Sequence, residues 1–413
     1  MQGSSGDTCV GASPSAEPAK KAPLWAMTAF SFVSAATVVG SSSAATPLYR
    51  LYQESMHLTP LMITLVFAVY AISLLAALLT VGGLSDYVGR RPVILGGLIV
   101  NAVAMMLFSY AADVGDLILA RAVQGLCVGA STTTLGAAIL DSDRTRGPLL
   151  NSVSAFVGLM VGALGAGLLV TFAPDPFHLV YEVLFVITAV LIFLLWFMPE
   201  TVSRKPGALA SLWPNVRVPA QSRAALMLVT PANVASWALG GFYLSLMPTI
   251  VAVTMGVSAP WIGGIVVATL MLAGAVSVGV LRHLPARRLL IIGTTGLSIG
   301  VMVSLFGIQQ HSTVLLFVGT TIAGIGFGSS FAGILSSLLP TAEAHQRAGL
   351  LATFYVISYL AFSLPALAAG VSVPFVGLAT VAYVYGAVVI LLAIISLVAT
   401  LRGPASRQIA SAR

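Results

Sequence analysis

Apolar residues run through this chain in long blocks broken by short polar punctuation. Blocks of the length that spans a bilayer, about 20 residues, fall at 24–46, 60–81, 92–111, 115–139, 148–172, 179–198, 223–252, 260–281, 288–308, 313–338, 347–370 and 375–401. The pattern predicts an all-α membrane protein with twelve transmembrane helices. An even number of spans places both termini on the same side.

Composition supports the same reading. Hydrophobic residues make up 58% of the 413, charged residues only 8%, and mean hydropathy is +1.02; soluble domains carry about a quarter charged residues. The net charge of +7 is topological and implies no nucleic-acid partner. On the twelve-span scheme one side holds Lys20, Lys21, Arg90, Arg91, Arg144, Arg146, Arg204, Lys205, Arg217, Arg223, Arg282, Arg287, Arg288, Arg347, Arg402, Arg407 and Arg413, which is 17 of 19 basic residues. Arg50 falls in a loop on the other side and Arg121 inside a span. Basic loops stay cytoplasmic, so both termini are expected in the cytoplasm and the protein in the cytoplasmic (inner) membrane.

The polar stretches divide the chain. Residues 1–23 are rich in Gly, Ser, Ala and Pro and read as a disordered tail, with no cleavable signal peptide. The segment 199–222 is the longest internal polar stretch and lies at the midpoint. It reads as a linker between a six-helix half at 24–198 and another at 223–401, with a second tail at 402–413. Cys9 in the tail and Cys127 in a span suggest no disulfide, and five scattered histidines suggest no metal site.

The densest polar signal is Gly82-Gly83-Leu84-Ser85-Asp86-Tyr87-Val88-Gly89-Arg90-Arg91-Pro92, between the second and third blocks. Its echo, Gly279 to Arg288, follows the eighth block, with His283 in the place of Asp86. Gly125-Leu126-Cys127-Val128-Gly129 in the fourth block likewise matches Gly324-Ile325-Gly326-Phe327-Gly328 in the tenth. The two pairs argue for a parallel repeat of two pseudo-symmetric six-helix halves.

These motifs resemble the major facilitator superfamily over about residues 24–401. Gly82, Leu84, Asp86, Gly89, Arg90 and Arg91 match its G-x-L-x-D-(R/K)-x-G-(R/K)-(R/K) signature; Tyr87 stands where a basic residue is usual. Arg121-Ala122-Val123-Gln124-Gly125 resembles the R-x-x-Q-G pattern of proton-linked carriers. The run from Gly158 to Gly167 resembles an antiporter motif, with Ala163 in place of its proline and Ala166 in place of a glycine. The twelve-helix drug:proton antiporters are the group most similar. The resemblance implies a secondary carrier whose halves rock about a central cleft, exporting a small amphipathic molecule on proton entry. It implies no enzyme activity and no cofactor, with the proton gradient as energy source. The expected partners are a small-molecule substrate, protons and the lipid bilayer, and the expected state is a monomer.

Candidate residues follow. Arg121 is costly inside a span, about 2.5–3.5 kcal/mol on insertion scales. It therefore faces either the bundle interior, with Gln124, for proton coupling or anion attraction, or snorkels outward to Asp113 or Asp116. Glu182, near the outer end of the sixth block, is the best placed carboxylate to exchange a proton after desolvation; an interfacial position beside His178 is the alternative. Gly82, Asp86, Gly89, Arg90, Arg91 and Asp141 form a conformational gate, with Asp86 also placed to accept from the amides that open the third helix. Ser41, Ser42, Tyr70, Asn233, Trp237, Tyr243, Phe327, Tyr355 and Tyr359 are expected to line the cleft. Gly158, Gly162 and Gly165 provide close helix packing. The shortage of buried acids keeps an uncoupled facilitator or lipid-like substrate flippase open. A membrane enzyme would need clustered His, Asp or Cys, and a receptor would bind without transport.

Overall fold

Helices begin where the chain supplies a cap. Thr59, Asp113, Asp175 and Ser312 each accept a hydrogen bond from an amide three residues on, pairing one donor that a helix start leaves free. Pro60 and Pro176 then occupy the first helical position. The structure, a computed structural model, describes residues 22–254, 256 and 260–402. Cys9, Lys20, Lys21, Arg407, Arg413 and nearly all of both expected tails lie outside the described residues.

The described residues form helices and no strand. In order these are α1 (Leu24–Ala44), α2 (Tyr49–Met56), α3 (Pro60–Val81), α4 (Ser85–Val88), α5 (Arg90–Ser109), α6 (Val114–Ser142), α7 (Gly147–Phe172), α8 (Pro176–Leu195), α9 (Arg223–Ser245), α10 (Met247–Thr254), α11 (Pro260–Leu281), α12 (Ala286–Gln309), α13 (Thr313–Leu338), α14 (Arg347–Val376) and α15 (Leu378–Arg402). Twelve helical segments are long and apolar enough to cross a membrane: α1 with α2, α3, α5 to α9 and α11 to α15. The protein is an all-helical integral membrane protein of two six-span halves. The expected block at 223–252 is broken after Ser245, and Pro248 falls in the first turn of the short α10. The block at 347–370 runs on to Val376 through Pro365 and Pro374. In hydrocarbon a helix that stops exposes unpaired backbone groups, so it continues through prolines that would end it in water.

One end of the bundle carries the 199–222 segment and is called here the linker end. Ala22 N donates to Phe197 O there, so α1 starts beside the end of α8. Of the described Lys and Arg residues, Arg50 lies at the far end, Arg121 within the bundle and the others at the linker end.

The halves meet along two seams, α7 against α11 and α3 against α14. At Gly264 a Cβ would stand 2.5 Å from Ala163 O, so the backbones touch. Hydrogen bonds cross between the halves at the far end, from Thr46 Oγ1 to Leu244 O at 3.0 Å and from Trp261 N to Thr171 Oγ1 at 3.1 Å. Gly158 and Gly162 do not serve this seam. They let α7 press on α1 of the same half, where added Cβ atoms would stand 2.5 Å from Ala36 O and Ser43 Oγ respectively. Gly165 corrects the expectation of packing, since nothing stands within 4 Å of its added Cβ.

Candidate functional site

Arg121 sits in the third turn of α6 and is 1% exposed. The outward alternative is overturned: Asp113 and Asp116 are engaged in capping, with Asp113 accepting from Asp116 N and Asp116 from Ala112 N. The guanidinium turns inward. Nη1 donates to Ser42 O at 3.0 Å and to Gln124 Oε1 at 2.5 Å, and Nη2 donates to the Tyr49 hydroxyl. Its Cζ lies 5.3 to 5.4 Å from the ring centroids of Tyr49, Tyr70 and Phe108, within cation–π range. Nε has no hydrogen-bond partner among the described residues, and no carboxylate pairs with the group. A full positive charge is thus held by oxygen dipoles and ring faces alone.

The cluster extends sideways. Gln124 Nε2 donates to Ser41 O at 3.0 Å, Ser41 Oγ to Asn101 Oδ1 at 3.0 Å, and Asn101 Nδ2 to Thr188 Oγ1 at 3.0 Å. A hydrogen-bonded chain therefore ties α8, α5, α1 and α6 to the short α2. Ser41 packs inside this half and Tyr70 is buried against Arg121, correcting their expected position on open space. Tyr49 and Asn101 escaped the sequence reading. The available signal was Tyr49 and Tyr52 on one face of a short stretch, with Arg50 and Glu54 paired on the other at 2.9 Å.

At the linker end Arg90 is buried and branched. Nη1 meets Asp86 Oδ1 at 2.5 Å and Ser85 Oγ at 2.7 Å, while Nε meets Asp141 Oδ2 at 3.0 Å. The amides that open α5 are taken by Glu200, not by Asp86 as expected: Oε1 accepts from Arg90 N at 2.8 Å and Oε2 from Arg91 N at 3.0 Å. Gly89 makes room for it, with φ +99° and a would-be Cβ only 2.7 Å from Glu200 Oε2. Asp86 is left outside this cap because its carboxylate is drawn to the buried guanidinium. Gly82 closes α3, where an added Cβ would strike Leu78 O. Arg91 Nη2 donates to Trp196 O at 3.0 Å, closing the carboxyl end of α8. In the other half Arg287 does the same for α15, reaching Leu401 O at 3.1 Å. These named contacts join α4, α5, α6, α8 and the start of the linker within the amino-terminal half; they do not cross to the other half. The missed signal for Glu200 was a carboxylate directly after the sixth apolar block, on the same face as the Arg pair.

The expected cleft residues divide. Asn233 and Tyr243 are buried inside the carboxyl-terminal half, where Asn233 Nδ2 donates to Ser358 Oγ at 2.9 Å and Tyr243 OH lies 3.0 Å from Thr320 Oγ1. They therefore do not line open space. Trp237, Phe327, Tyr355 and Tyr359 are half-buried. Trp237 meets Tyr359 edge-on at 4.9 Å, and Tyr359 stacks with Tyr355 at 6.2 Å. Phe156 of α7 reaches Phe327 at 5.5 Å and Phe67 of α3 reaches Phe362 at 4.8 Å, so aromatic rings bridge the seam. Glu182 lies on the outward face of α8 and not toward the bundle interior, because the inward face is taken by Val180, Tyr181 and Thr188. Among the described residues no span buries a carboxylate, and no cluster of three or more metal-ligating side chains occurs.

Three comparisons bear on this arrangement. The sequence family described as Major Facilitator Superfamily matches residues 28–284. A protein named multidrug resistance protein MdtL, from Citrobacter koseri, is 32% identical over 104 residues. That stretch is 24% of this chain and about a quarter, 27%, of the relative. The crystal structure of the human organic anion transporter MFSD10 (TETRAN) superposes with a TM-score of 0.66, covering 91% of this chain and 100% of that one at 16% identity, a likeness of fold.

Proposed function

The chain belongs to the Major Facilitator Superfamily, whose members are transporters, and on that premise we propose that it exports a small amphipathic molecule by alternating access. The observation that carries this reading is the seam itself. Aromatic rings from both halves meet there, the buried Phe67 and Phe156 against Phe362 and the half-buried Phe327, while polar contacts between the halves lie at the far end. Beside Phe362 stand the half-buried Trp237 and Tyr359, with Tyr355 next to them, rings with polar edges and little charge that suit a flat, partly apolar solute. The asymmetry of basic residues supports a cytoplasmic linker end and an inner-membrane location, and the partial likeness to a multidrug resistance protein supports export.

Proton entry is the proposed driving force, supported by the Arg121–Gln124 pair and its resemblance to proton-linked carriers. A second reading, uncoupled transport, is favoured by one observation: Glu182 is exposed and no described span buries a carboxylate. Reconstitution separates the two. Thermal-shift screening of the purified protein selects a solute, and its flux is followed in proteoliposomes with and without an imposed pH gradient. Flux accelerated by the gradient supports coupling; flux indifferent to it leaves the uncoupled reading. Binding without counterflow would overturn transport altogether.

A further inference from the structure

A cavity of about 500 Å³ opens at the linker end, lined by none of the residues of the Arg90 cluster. Asn215 and Arg217 of the linker, Arg223 at the start of α9, and His345, Gln346 and Gly349 at the start of α14 contribute to its wall. Its walls are held in place. Arg217 N donates to Gly349 O at 3.4 Å, Gln221 Nε2 to Gln346 Oε1 at 2.7 Å, and Thr341 Oγ1 to Ser222 Oγ at 2.9 Å. Gly349 allows the linker to lie this close, since an added Cβ would stand 3.3 Å from Asn215 O and 3.4 Å from the Arg217 Cβ.

The charges do not balance inside it. No carboxylate lines the cavity, and among the described residues neither Arg217 nor Arg223 forms an ion pair or a side-chain hydrogen bond. The nearby acid, Glu343, stands at the rim, 3.5 Å from His345. Two exposed arginines from different elements therefore line one open cavity together with side-chain amides. A planar guanidinium fork matches the oxygens of a phosphate, and two forks on one group are the usual protein answer to it. Met227, 76% exposed, lies one turn along α9 from Arg223 and supplies an apolar path for a tail.

We propose that this cavity binds a phosphate group, through Arg217 and Arg223, and so clamps the linker to the first turns of α9 and α14. The same chemistry is offered by an anionic phospholipid headgroup and by a free phosphate, and the test distinguishes them. The full-length protein in detergent is titrated with short-chain phosphatidylglycerol, with inorganic phosphate, and with chloride at matched ionic strength. Binding and the thermal unfolding midpoint are read for wild type, for R217A/R223A, for R217K/R223K and for R144A/R146A, which removes two charges at the same end outside the cavity.

Wild type and R144A/R146A are expected to bind alike, R217A/R223A at least about tenfold more weakly, and R217K/R223K in between, because an ammonium keeps the charge and loses the fork. A response to the lipid alone assigns a headgroup; an equal response to inorganic phosphate assigns a free phosphate. Both support the site. The proposal is overturned if neither probe separates wild type from R217A/R223A, if chloride reproduces the effect, or if R144A/R146A loses as much binding, since any of these marks general screening. The two arginines are exposed at the surface, and the lysine variant controls for a fold effect of the alanines.

Discussion

Tyr49→Phe is the cleanest probe of the buried arginine. The substitution removes one oxygen and keeps the ring, so packing and the cation–π contact with Arg121 at 5.3 Å survive. What is lost is the acceptor for Nη2, in a group that already has an unpaired Nε. A hydrogen bond to a charged donor contributes about 1.5–3 kcal/mol, and an orphaned buried donor keeps its full desolvation penalty. Tyr52→Phe is the matched control. It sits one turn away, is equally buried, and loses a neutral bond to Tyr181 OH at 3.0 Å. Neutral side-chain bonds between membrane helices average about 0.6 kcal/mol. Tyr49→Phe should therefore destabilise by at least about 1 kcal/mol more than Tyr52→Phe, roughly a fivefold larger shift in a reversible unfolding equilibrium measured in micelles. A cycle with Arg121→Met should return a coupling of about 1.5–3 kcal/mol for Tyr49. Equal destabilisation by the two phenylalanines, or zero coupling to Arg121, would refute the view that dipoles and this hydroxyl hold the charge.

Other substitutions test the remaining parts. Asp86→Asn should lower solute flux more than His283→Ala, because Asp86 meets Arg90 directly while His283 accepts only from Arg282 Nε at 3.1 Å; equal flux from the two would remove the asymmetry. Glu200→Ala should destabilise by about 1–2 kcal/mol through loss of a helix cap, and Glu200→Gln by less, since the amide keeps one accepting oxygen while losing the other and the charge at that helix start; unfolding midpoints check both, and Gln as harmful as Ala contradicts the ranking. Gly264→Leu should wedge the halves apart at the far end, where its Cβ would already stand 2.5 Å from Ala163 O. Cysteine labelling at Thr46→Cys should then rise, and unchanged labelling would mean that this contact does not close the end.

Spans were legible because they depend on length and hydropathy alone, and hydrocarbon enforces both. The site was legible only where a residue is expensive in its setting. Arg121 declared itself in that way, and so did the paired arginines of the loop. Glu200 did not, since a carboxylate in a polar linker costs nothing in sequence; its meaning arises from Gly89, 111 positions earlier, whose backbone leaves room for it. Ser41, Asn233 and Tyr243 failed in the opposite sense. Small polar residues in spans look like cleft lining, yet hydrocarbon demands that each find a partner, and Asn101, Ser358 and Thr320 supply those partners inside each half. Glycine spacing was equally silent about direction: Gly158 and Gly162 face α1, while Gly167 faces Trp261 of the other half.

The repeat then explains why the halves are not interchangeable. At the offset of 199 that sets Gly125 on Gly324, Arg121 falls on Thr320 and Gln124 on Ala323. Thr320 keeps the contact with a tyrosine from a neighbouring element, through Tyr243 where Arg121 uses Tyr49, but carries no charge. The loops diverge too. Arg91 and Arg287 each close the last helix of their own half, although the repeat sets Arg287 on Arg90, and the acid that engages Arg90 has only His283 as its counterpart. A helix-closing arginine thus occurs in both halves, one repeat position apart. Among the described residues the fully buried cation occurs in one half only. A buried cation without a counter-charge is held against a continuing desolvation cost, so its retention in a single half points to a task that the fold itself does not require. The amino-terminal half thus buries an uncompensated cation within itself, while the carboxyl-terminal half carries the half-buried Trp237, Tyr355 and Tyr359.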